Sequence, residues 1–84
     1  NFHIGYLIDP TQPEERVLAE TLSAQLVGRS LRLGGTCTGE HGIGLHKMGF
    51  LLDEAGPAAV GLMRAVKQAL DPKNIMNPGK IFEI

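Results

Sequence analysis

Along Asn1–Asp9 the even positions Phe2, Ile4, Tyr6 and Ile8 are large and apolar, with Asn1, His3, Gly5 and Leu7 between them. A period of two places successive side chains on opposite faces, so this segment predicts a strand with the even set on its core face and His3 turned away. Asp9-Pro10 ends it, because proline donates no ladder hydrogen bond. From Thr11 the period lengthens. Leu18, Leu22 and Leu26 recur every four residues beside Val17, Val27 and Leu31, which predicts an amphipathic helix. Its ends are signalled too. Thr11 and Glu14 have capping-box spacing, and Pro13 suits a first turn. Glu14 and Glu15 lie at the positive end of the helix dipole, Arg29 and Arg32 at the negative end, and Gly34-Gly35 stops the run.

Beyond a glycine-rich loop, Leu45–Gly56 reads as a short helix. Pro57 opens a longer one in which Ala59, Met63, Val66 and Leu70 share a face, and Asp71-Pro72 ends it. Thr36, Cys37 and Thr38 predict a short strand leading into the loop. Asn77-Pro78-Gly79 predicts a turn before an extended apolar tail. Met48, Met63 and Met76 read as core filling, Cys37 as a small buried apolar residue, and Lys47, Lys73 and Lys80 as solvated charges. The order strand, helix, Gly-rich loop, helix, tail predicts an α+β fold.

Composition narrows the classes. The 84 residues suffice for one small domain, and the single cysteine excludes an internal disulfide framework. A formal charge of −1 speaks against a nucleic-acid partner, and no apolar run reaches the roughly 18 residues of a membrane span. Opening in mid-strand, the chain reads as a piece of a longer protein whose apolar faces pack on the rest.

The candidate chemistry lies in GGTCTGEHGIG, Gly34–Gly44. Known phosphate cradles do not fit it. A dinucleotide fingerprint would need glycine where Lys47 stands, and a P-loop would need lysine where Leu45 follows Gly44. A zincin motif fails because the order is Glu40-His41 and His46 comes five residues on. Neighbouring side chains diverge in both strands and helices, so Glu40 and His41 are expected to serve two adjacent partners. Gly39 and Gly42 would let the backbone approach a ligand closely. On spacing alone, a plain surface turn stays open.

Taken together, NFHIGYLIDP, GGTCTGEHGIGLHKMGFL and ALDPKNIMNPGKIF resemble the C-terminal end of the FAD-linked oxidases with the vanillyl-alcohol-oxidase type of fold. The resemblance points to members acting on D-lactate and other D-2-hydroxy acids, including the flavin subunit of glycolate oxidase. It covers essentially the whole chain, in order, and implies that residues 1–84 are the C-terminal part of the substrate or cap domain, with the FAD-binding domain elsewhere. Metal-dependent members bind a divalent ion through two histidines of H-x-G-D-G-N-x-H and the glutamate of G-E-H-G. By that resemblance His3 is the second histidine, Glu40 the acid ligand and His41 the general base, while the first histidine falls ahead of Asn1. The implied metal is Zn or Mn. Asn77, in the N-P-G-K turn, is implied to lie near the flavin and bind the cofactor. Gly5 stands where some relatives carry a polar residue that contacts substrate.

The implied function is oxidation of a D-2-hydroxy acid to the 2-oxo acid by the full-length parent. Its partners would be the small hydroxy acid and the rest of the parent chain. The implied place is the cytoplasm or the inner face of a membrane, mitochondrial in a eukaryote. The alternative is a catalytically inert metal-binding or structural fragment that self-associates through an apolar face, which the 43% hydrophobic content allows.

Overall fold

The computed structural model describes residues 1–84 and contains two helices, α1 (Pro13–Arg32) and α2 (Met48–Leu70), and no strand. The fold is therefore all-α rather than the α+β expected. Asn1–Asp9 keeps its alternation, yet residues 1–8 make no backbone–backbone hydrogen bond. A period of two specifies which face a strand would bury. It does not supply the neighbouring strand whose N–H and C=O groups complete a ladder. Phe2, Ile4, Tyr6 and Ile8 are exposed accordingly. Thr36–Thr38 is irregular for the same reason.

α1 begins with proline in its first turn, Glu14 and Glu15 following, and closes with Arg29 and Arg32. The capping box does not form. Gln12 is the N-cap and makes no side-chain cap bond. Thr11 turns back instead, donating its N–H (2.9 Å) and hydroxyl (2.7 Å) to Asp9 Oδ1. The helix ends in a Schellman motif. Gly34 takes φ 80°, its N–H reaches Leu31 O (3.1 Å), and the Gly35 N–H reaches Ser30 O (2.8 Å). A Cβ on Gly35 would meet Ser30 Oγ at 2.5 Å and that same carbonyl oxygen at 3.1 Å, so any larger residue here forces Ser30 to shift.

α2 breaks at Gly56 (φ 80°, ψ 163°) ahead of Pro57, where the sequence separates two helices. Leu51 and Val60 are its buried residues, whereas Met63, Val66 and Leu70 of the expected stripe are exposed. Met76, read as core filling, is exposed as well. After α2 the chain is knotted around Asp71, one of four buried residues with Cys37, Leu51 and Val60. The Asp71 carboxylate accepts from Lys67 Nζ and from the N–H groups of Ile75 (3.1 Å) and Met76 (2.9 Å). The lysine above all holds its carboxyl below the ordinary 3.8. The tail then doubles back. The Ile81 N–H donates to Gly44 O at 2.7 Å, with Ile81 at φ 70°. That conformation costs a β-branched residue about 1–3 kcal/mol, so the bond to the glycine loop holds Ile81 against its own preference.

Candidate active site

Four segments build the site: the N-terminal run, the C-terminal half of α1, the loop between the helices, and the start of α2. The loop is not extended. The His41 N–H donates to Thr38 O (3.1 Å) and Gly39 sits at φ 56°, so the chain reverses between Thr38 and His41. This reversal corrects the expectation that Glu40 and His41 diverge. His41 Nε2 lies 3.8 Å from Glu40 Oε1, and the same oxygen lies 3.2 Å from His3 Nε2. The two imidazoles meet edge to face, centroids 5.4 Å apart. One ligand atom from each of His3, Glu40 and His41 falls within 4.8 Å of the others, and all three residues are exposed.

The donor set suits a small divalent cation. Metal–ligand bonds of about 2.1 Å place neighbouring ligand atoms roughly 3–3.5 Å apart, the range of the His3–Glu40 pair. An imidazole nitrogen and a carboxylate oxygen at 3.2 Å also repel through their lone pairs unless a proton or a cation lies between them. His41 differs. At 3.8 Å it stands beyond hydrogen-bond reach of Glu40, which leaves Nε2 open to another partner.

The three side chains line a cavity of about 790 Å³, whose apolar wall includes Phe2, Ile4 and Tyr6. Arg29, on α1, brings a cation to the same cavity. Asn77 lies elsewhere. It lines a separate cavity of about 120 Å³ with Lys67 and Lys80.

Two residues around the loop escape a reading of the sequence. Glu54 Oε2 accepts from the Cys37 N–H (2.9 Å) and the Thr36 hydroxyl (3.1 Å), and Lys47 Nζ donates to Cys37 O (2.9 Å). Lys47 is thus a tether rather than a solvated charge. Their spacing of seven, which places both on one helix face, was the signal available. The Cys37 backbone N–H chiefly holds the Glu54 carboxyl below its ordinary 4.5.

No helix is long and apolar enough to cross a membrane. The chain is 45% identical over its whole length to a protein of Danio rerio named as a probable mitochondrial D-lactate dehydrogenase. It is 51% identical over 99% of its length to the mitochondrial D-lactate dehydrogenase [cytochrome] 1 of Saccharomyces cerevisiae. It is 38% identical over 98% of its length to the glycolate oxidase subunit GlcD of Bacillus subtilis. The chain spans 17%, 14% and 17% of these three relatives. The family described as FAD linked oxidases, C-terminal domain, matches residues 1–81, and the chain belongs to that family.

Proposed function

We propose that the chain forms part of the C-terminal domain of an FAD-dependent oxidoreductase that converts a D-2-hydroxy acid, such as D-lactate or glycolate, to the 2-oxo acid with the help of a divalent metal. The names of the relatives support the substrate class. The observation that carries the reading is the convergence of His3, Glu40 and His41 in one cavity. FAD would be held mainly by residues outside this chain, and the word mitochondrial in two relatives' names supports that address in a eukaryote.

His3 and Glu40 would hold the cation, Zn or Mn, whose imidazole and carboxylate ligands suit either. A bound cation would supply Lewis acidity toward the substrate hydroxyl, and bound FAD would supply the hydride acceptor. His41 Nε2, free of Glu40, accepts the hydroxyl proton as general base, which needs about 2.6–3.2 Å between heavy atoms in the productive pose. Phe2, Ile4 and Tyr6 line the same cavity and give it an apolar wall.

In the full-length protein, His41→Ala is expected to slow single-turnover reduction of the flavin by substrate about 100-fold or more. Glu40→Gln is expected to lose the bound metal. A near-normal rate in the first variant removes His41 from the role, and retained metal in the second removes Glu40.

A further inference from the structure

We propose that Glu54 is a positioning residue for this site: from the second turn of α2 it fixes the backbone that presents Glu40 and His41. Glu54 touches neither side chain and does not line the cavity. Its carboxylate takes both the Cys37 N–H and the Thr36 hydroxyl on one oxygen. Lys47 grips the other side of the same residue through the Cys37 carbonyl. Cys37 is thereby held by an anion at its N–H and a cation at its C=O, both from the same end of α2, and hydrogen bonds to charged groups are the strong ones. Its side chain is also buried, at 5% exposure. One residue on, Thr38 O anchors the reversal that carries Glu40 and His41. Where those two side chains point is therefore set at Cys37, and Glu54 sets Cys37. The inference rests on the roles given above to Glu40 and His41.

The test uses the full-length, FAD-loaded enzyme stripped of metal. Zinc chloride is titrated calorimetrically, and flavin reduction by substrate is followed in a single turnover. Glu54→Ala is expected to weaken zinc binding about 10-fold or more and to slow reduction by a similar factor, with the flavin spectrum unchanged. Glu54→Gln, whose amide oxygen still accepts from Cys37, recovers most of both, and Thr36→Val falls between. Wild-type zinc affinity and rate in Glu54→Ala overturn the proposal. So does an equal loss in Glu54→Gln and Glu54→Ala, because an inserted amide then does no better than a truncation. Glu40→Gln separates the two readings. If it loses zinc while Glu54→Ala does not, the metal reading stands and the positioning role falls. If it keeps zinc, the metal reading falls and the reduction rate of Glu54→Ala decides the positioning of His41. Where Glu54→Ala does not fold, Thr36→Val decides, and wild-type behaviour there overturns the role.

Discussion

Cys37 is flanked by an acid and a base and carries no charge itself. Burial first, then the hydrogen bond and charge of Glu54, push its thiol from an ordinary 9.0 up to about 11. The folded state thus favours the protonated thiol. The stability this contributes is fully present below pH 9 and is lost as pH rises toward 11. At pH 8 the shift leaves about 100-fold less thiolate than in an ordinary cysteine. Labelling by a thiol reagent is expected to be slower by about that factor in the folded protein, and labelling at the rate of a free thiol would contradict the burial. That Cys37 is small, apolar and buried was legible in its residue type. What Lys47 and Glu54 do was not, since each bonds to backbone of the preceding loop, and no residue type marks a peptide group as a partner.

At the scale of elements, α1 was readable because its signals are local: Pro13, the acidic first turn, Arg29 and Arg32, then Gly34-Gly35. The Gly56-Pro57 break was readable on the same ground. The capping box misled because Asp9, two residues back, outbids Glu14 for Thr11. The strand misled because pairing is not a local property; alternation names a face but not a neighbour. In the loop, side-chain divergence was argued for extended or helical backbone, and glycines at positive φ allowed a third conformation that brings Glu40 and His41 together. The Schellman ending of α1 yields a prediction at this scale. Gly34→Ala keeps the left-handed backbone only at a cost of about 1–2 kcal/mol, to be read as a lowered unfolding free energy of the full-length protein. An unchanged value would mean that Gly34 does not need its positive φ.

For the whole molecule, four buried residues are too few to hold 84 in place. The two helices barely touch, and the radius of gyration is 15.2 Å, against about 12 Å for a compact domain of this length. Phe2, Leu7, Leu18, Leu62 and Leu70 are left facing outward. Expressed alone, the 84 residues are expected to bind a hydrophobic dye and to melt without a cooperative transition. A sharp melt with no dye bound would show that they are self-sufficient. The bond from Ile81 to Gly44 carries one more consequence, in time rather than in space. Gly44 leaves the ribosome well before Ile81, so the segment carrying the acid and the imidazole waits, unfinished, until α2 and the turn after it have been synthesised. Its final shape is completed by a residue translated after it.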